Sequence, residues 1–451
     1  MRSIATFGIG LLLFTACDES STSPEPGLSL DAELRQSLDQ WGVIPIGPLS
    51  AQPPAKVELG RALFFDKILS GNRDVACATC HHPSTALTDG RSLAVGTGGT
   101  GLGPARTLGA AREFVPRSSP TLLNSGLGAS YLFWDGRLQS FGPGTFFTDG
   151  AGTTLPSNLP SALVAQVFLP VLDRREMRGD RGDVDAFGAD NELASLGDTG
   201  HSEVWHAIMQ RLTAIPAYVE MFAAAFPDVP SNALRFEHAA RAIAAFEVQA
   251  FTKASSPFDR YLDRDDAALS VQQKRGALLF FGDARCSRCH SGPLLGARSF
   301  ANVGVPQIGP GFGKDAPHDL GRGSIEGNDF YRFAFRVAPL RNVELTAPYM
   351  HSGAYPTLEA VVRHYDDVPE ALRTYDVAQL DPRLRHLHHG DEATINDVLS
   401  TLDFNLESPL DLEDDEIDDL VAFLESLTDP AARDLTSLVP ASVPSGLMVG
   451  R

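Results

Sequence analysis

Four of the five cysteines in this chain fall into two copies of one pattern, Cys77-Ala78-Thr79-Cys80-His81 and Cys286-Ser287-Arg288-Cys289-His290. C-x-x-C-H is the attachment signature of a c-type haem. Two thiols three residues apart can each form a thioether to one porphyrin vinyl group, and the adjacent imidazole then reaches the iron from one face. A zinc half-site or a redox pair would use the same cysteines. Zinc, however, needs four ligands, and no further cysteine stands near either motif. The pattern predicts two covalently bound c-type haems, with His81 and His290 as proximal ligands.

The fifth cysteine closes an apolar run. Met1-Arg2 is followed by Ile4 to Phe14 and then by Phe14-Thr15-Ala16-Cys17. The run is too short for a permanent bilayer span and reads as an export signal over residues 1–17. A cysteine after small residues resembles a bacterial lipobox, with Phe14 where leucine is usual; an ordinary signal peptide cut nearby is the alternative. Both predict a periplasmic protein, on the first reading held to a membrane by lipid on Cys17. Residues 18–30 open with the polar DESSTSPEP and are expected to be a flexible linker. A formal charge of −20 argues against nucleic acid and anionic membrane as partners. It would suit a basic electron donor, although a well-solvated surface accounts for it too.

The elements that must position the two motifs carry a weak internal repeat. Gly60-Arg-Ala-Leu-Phe-Phe65 precedes the first motif and Gly276-Ala-Leu-Leu-Phe-Phe281 the second. Each reads as the end of a helix whose apolar face packs on its own haem. Helical periodicity recurs at Val204 to Ala225, Phe236 to Phe251, Leu358 to Tyr365 and Glu416 to Leu427. Gly- and Pro-rich stretches from Gly96 to Pro120 and from Phe141 to Pro160 read as loop. The expected architecture is mainly α, with two tandem cytochrome c-like haem domains (31–262 and 263–437), long loops, few strands and a tail at 438–451.

The order of motifs resembles the bacterial diheme cytochrome c peroxidases and their MauG-type relatives. The matching pieces are the two haem motifs together with Ser119-Pro-Thr-Leu-Leu-Asn124, Phe133-Trp-Asp-Gly-Arg137, Arg175-Glu-Met177, Ser256-Pro-Phe-Asp259, Pro339-Leu-Arg-Asn-Val343, Ala347-Pro-Tyr-Met-His-Ser-Gly353 and Thr357-Leu-Glu359. They run in order through most of residues 50 to 430.

The resemblance implies a peroxide-reacting N-terminal haem and an electron-transfer C-terminal haem. The peroxidases proper carry a capping histidine in the loop after the first motif. Leu93 to Leu102 has none here, and no histidine occurs from Pro83 to Gly200. His82 is expected at the surface, pointing away. The first haem is therefore expected to be five-coordinate without prior reduction, as in MauG-type enzymes. Glu176 matches the family's distal glutamate, a general acid–base for peroxide cleavage; a helix-surface glutamate in a charged run is the plain alternative. Trp134 resembles the tryptophan between the haems that relays electrons, against a core aromatic.

Two residues compete for the sixth position of the second haem. Tyr365 falls where the peroxidases have methionine and MauG-type enzymes tyrosine; Met350 is the other. A calcium ion, held by oxygen ligands, would involve Ser118, Val337 and Pro339, with Ser118 where the family has asparagine. His386, His388 and His389 are read as a solvated loop.

Three function classes follow. One is a peroxidase fed by a small electron-donor protein. Another is a MauG-like enzyme that uses hydrogen peroxide to oxidise a partner protein. The third is a pure electron-transfer cytochrome, disfavoured by the missing cap.

Overall fold

The computed structural model describes residues 28–128, 130–140, 146–148, 155–296 and 299–450. The export signal, Cys17 and most of the expected linker lie outside the described residues. The linker's last residue does not: Leu30 already begins a helix, capped by the Ser29 hydroxyl.

The chain is mainly helical. Its longer helices are α1 (Leu30–Gln40), α2 (Pro54–Phe65), α3 (His201–Thr213), α4 (Pro216–Ala225), α5 (Phe236–Phe251), α6 (Val271–Phe281), α7 (Leu358–Asp366) and α8 (Asp414–Ser426). The periodic run from Val204 to Ala225 is two helices because Pro216 cannot supply an interior N–H and starts a new one. Strands are short. β1 (Tyr131–Leu132), β2 (Leu138–Ser140) and β3 (Phe146–Thr148) form an antiparallel meander, and β4 (Phe300–Ala301) pairs with β5 (Phe335–Arg336).

The internal repeat is a repeated helix crossing. In the first half α2 packs on α5, and a Cβ added to Gly60 would collide with the Ala242 carbonyl. In the second α6 packs on α8, and a Cβ on Gly276 would collide with the Asp419 carbonyl. Glycine at the crossing lets two backbones meet. The Phe pair one turn later then fills the space beside it: Phe64 lies 5.5 Å from Phe246, and Phe280 lies 5.1 Å from Phe423.

Core membership departs from the contiguous domains 31–262 and 263–437. Leu34, Leu38 and Val43, from the N-terminal end, are buried in the second core. There the Trp41 indole donates to the Phe281 carbonyl at 2.9 Å and Lys274 pairs with Asp31 at 2.7 Å. Conversely Ala432, Leu435 and Val443 are buried in the first core. Residues 438–450 are thus a strap rather than a loose tail: Arg61 donates to the Leu438 carbonyl (2.8 Å) and the Ser445 hydroxyl to Asp66 (2.6 Å). Apolar side chains at both ends find more burial across the molecule than beside their sequence neighbours.

Candidate active site

The first haem motif is a single helical turn, Cys77–Cys80, with the Thr79 hydroxyl accepting the Ala76 N–H at 2.9 Å. His81 follows as its C-cap, and its Nδ1 lies 3.0 Å from the Leu87 carbonyl. Burial pushes the imidazole pKa down to about 4, so the ring is neutral and Nδ1 carries the donated proton. The Nε2 lone pair is left for a metal. His290 repeats the arrangement with the Leu295 carbonyl at 3.0 Å, and burial again lowers its pKa. Burial holds the four motif cysteines as thiols, at about 12 for Cys77, Cys80 and Cys286 and about 11 for Cys289.

Both motifs open on one cavity. Leu123, Ile243, Val305 and Leu420 give it apolar walls, and each end carries two thiols and one imidazole. That donor set on a largely apolar, enclosed surface fits a haem at each end. Glu176, Trp134, Tyr365, Met350, Ser118, Val337 and Pro339 all line the same cavity.

Glu176 sits on a single wide π-helical turn, Arg174–Arg178, capped by Asp173. The Asp173 carboxylate accepts the backbone N–H of Arg175 (2.8 Å) and of Glu176 (3.1 Å). The histidine-free loop lies against this turn: Thr97 N–H reaches the carbonyls of Arg175 and Glu176, both at 3.1 Å, and Gly96 leaves no room for a Cβ against them. Burial raises the Glu176 carboxyl to about 7; the Asp173 charge adds to this, while Arg137, Arg175 and Arg117 oppose it. An enclosed carboxyl that titrates near neutrality can both accept and return a proton.

Trp134 lies in the β1–β2 connection, with Asp135 and Gly136 (φ +64°) completing the turn. Its indole donates to the Ser118 carbonyl at 2.9 Å, and its own carbonyl accepts the Arg336 N–H at 2.7 Å. A buried ionic network braces this connection. Arg117 grips Asp319 with two nitrogens (2.6 and 2.8 Å) and also pairs with Asp135, which in turn pairs with Arg137. Burial works against ionising Asp135, yet the charges of Arg117 and Arg137 outweigh it and hold its pKa well below the usual carboxylate range. His351 stacks on Phe335 with centroids 3.5 Å apart, and burial lowers its pKa to about 3.

Tyr365 and Met350 occupy different parts of the cavity wall. Tyr365 is on α7, near Cys289 and Cys286, and burial is the main cause that raises its pKa. Its hydroxyl has no hydrogen-bond partner among the described residues. Met350 has a left-handed backbone (φ +71°), and its carbonyl accepts the Ser118 hydroxyl at 3.2 Å. It therefore sits at the junction with the first half.

The expected calcium set fits poorly. Ser118 commits its hydroxyl to Met350 and its carbonyl to Trp134. The flanking charges are cations, Arg117 buried and Arg336 half-buried, and Asp135 and Asp319 are taken by arginine. His82, expected at the surface, is instead buried, its Nδ1 beside the Ser84 hydroxyl (2.7 Å) and its Nε2 beside the Gly450 carbonyl (3.3 Å) of the strap. The ring does turn away from the cavity. His389 binds the Gly309 carbonyl (3.0 Å), and no cluster of three metal-binding side chains exists among the described residues.

Sequence reasoning passed over Asp89 and Glu247, which also line the cavity. Burial raises them to about 7 and about 8. Glu247 left a visible signal, a carboxyl on the buried face of α5 beside Ile243 and Phe246. Asp89, in a loop, left none.

Comparison with known proteins places the chain among the diheme peroxidases. The di-haem cytochrome c peroxidase family model matches residues 54–267. The chain is 31% identical to the cytochrome c551 peroxidase of Pseudomonas aeruginosa over 88% of its own length and 84% of that protein. It is 29% identical to the methylamine utilization protein MauG of Methylorubrum extorquens, covering 95% and 94%. A crystal structure of a MauG-like protein associated with microbial copper homeostasis superposes with a TM-score of 0.58 at 27% identity, covering 87% of this chain and 95% of that one.

Proposed function

The chain belongs to the di-haem cytochrome c peroxidase family and is a diheme oxidoreductase, and from that premise we propose that it works in the MauG manner, reacting with hydrogen peroxide at the first haem and drawing electrons through the second from an oxidisable partner protein. When bound, the haems supply the iron chemistry: an open coordination position at the first and electron storage at both. The rest falls to the chain. Glu176 accepts a proton from one peroxide oxygen and returns it to the other, so that two electrons and two protons turn peroxide into two waters. Trp134, braced by Ser118 and the Asp135 network, carries electrons between the halves. Tyr365 ligates the second haem, a role supported by its place beside Cys286 and Cys289 and its unpartnered hydroxyl.

The observation that carries the reading is Glu176 on the cavity wall, titrating near 7, over a stretch from residue 83 to 200 with no histidine to cap the first iron. Met350, which also lines the cavity, favours a second reading: a peroxidase fed by a small redox-protein donor, with methionine on the second haem. In either case residues 1–17 would direct the protein to the periplasm, with Cys17 as a lipid anchor.

Stopped-flow mixing of fully ferric protein with peroxide tests the proposal. The first haem is expected to be high-spin at rest and to react without pre-reduction. Glu176→Gln keeps the shape and removes the titratable proton, so the reaction should slow by about 10²–10⁴-fold with both haem spectra intact. A wholly low-spin resting spectrum with no reaction would overturn the reading.

A further inference from the structure

Arg336 is an enclosed cation on the cavity wall whose charge is unanswered. Its NH1 donates to the Tyr131 carbonyl at 3.2 Å, while its Nε is buried with no partner. Among the described residues it has no carboxylate within ion-pair distance. The nearest acid, Asp135, is already committed to Arg117 and Arg137. Burial pulls the Arg336 pKa down to about 10, with Asp135 only partly restoring it. An isolated buried charge costs several kcal/mol unless it is paired. The free edge of the guanidinium, Nε with NH2, has the fork geometry that takes a carboxylate in two parallel hydrogen bonds.

The location names the carboxylate. Arg336 ends β5, and Ala338, two residues on, lies against the His290 ring. Its backbone N–H also holds the Trp134 carbonyl. We propose that the Nε–NH2 edge of Arg336 binds a propionate of the second haem and thereby raises that haem's reduction potential. This rests on the reading of the cavity as a two-haem site. A fixed positive charge favours the ferrous over the ferric state, and neutralising the propionate works in the same direction. The same residue would tie that haem's edge to the backbone of Trp134.

Potentiometric titration of the purified holoprotein and of Arg336→Met and Arg336→Lys tests this, with haem counted by pyridine haemochrome. Wild-type protein with other than two haems would sink the two-haem reading itself, before any variant is compared. With two haems in every sample, Arg336→Met should lower the potential of one haem by at least tenfold in its reduction equilibrium, about 59 mV for one electron. That potential should also become pH-dependent, because the orphaned propionate now takes up a proton on reduction. Arg336→Lys should restore most of the shift while moving the propionate bending band in resonance Raman. If Arg336→Met does not mature, the lysine variant decides: a moved propionate band supports the pairing, and an unmoved one overturns it. Unchanged potentials in a two-haem Arg336→Met protein also overturn it.

Discussion

The Asp173 carboxylate accepts the backbone N–H of Glu176 at 3.1 Å and at the same time pushes the pKa of the Glu176 side chain upward. One residue thus both builds the turn and tunes the acid it presents. The two roles separate by mutation. Asp173→Asn keeps an acceptor for the cap and loses the charge, so the Glu176 pKa should fall. If Glu176 must be ionised to take the first proton, the peroxide rate rises with pH through about 7 in the wild type. That rise should move to lower pH in Asp173→Asn and vanish in Glu176→Gln. Asp173→Ala should in addition cost about 0.5–2 kcal/mol of stability through the lost cap. Stopped-flow pH profiles and chemical denaturation read the two effects apart.

Ligation of the second haem is decided by paramagnetic resonance. Tyr365→Phe should change the low-spin signal while Met350→Leu leaves it in place. The reverse pattern would move the protein toward the donor-fed peroxidases.

The Arg117–Asp135–Asp319 network makes a statement about acid. Asp135 and Asp319 both have folded pKa values held below normal by arginine despite burial. Their contribution is present above the unfolded aspartate value of about 4 and is lost as pH falls through the folded values. Resistance to thermal unfolding should therefore weaken below about pH 4. Asp135→Asn leaves Arg117 with Asp319 alone and Arg137 without a carboxylate among the described residues, and should cost about 1–3 kcal/mol at neutral pH, with a flatter decline in acid.

Gly60→Ala and Gly276→Ala each push a methyl into a carbonyl across a helix crossing. Overpacking of this kind costs about 1–3 kcal/mol. Each should loosen its own half, so that Gly60→Ala perturbs the first haem's spectrum on warming before the second, and Gly276→Ala does the opposite. Equal loss of both signals would show a single cooperative unit.

Much of the site was legible because covalent attachment demands local spacing. The two C-x-x-C-H motifs and the Gly-Phe-Phe helix ends before them needed no knowledge of tertiary contacts. Glu176 and Trp134 stood out only through a family pattern, since nothing in a run of Asp173, Arg174 and Arg175 says which charge turns inward. What stayed hidden depends on partners far away in sequence. His82 reads as a surface residue until Gly450 arrives 368 positions later. Arg336 reads as one arginine in an apolar run, and its missing partner is visible only once Asp135 is seen to be taken. The ends were misjudged for the same reason: α1 and the strap have ordinary amphipathic patterns that do not say which core they serve.

The exchange of ends has a consequence for how the molecule is made. Residues 34–43 are synthesised first but have nothing to rest on until residues 258–427 have followed. Residues 59–251 wait for Ala432 to Val443 before their core is whole. The first core is therefore completed last, and its C-x-x-C-H segment is expected to stay the more reachable of the two until residues 432–443 are in place. In the finished fold the same thiols are only partly exposed. Attachment at the first motif is thus favoured before that core closes, and a chain clipped before Ala432 would hold that interval open.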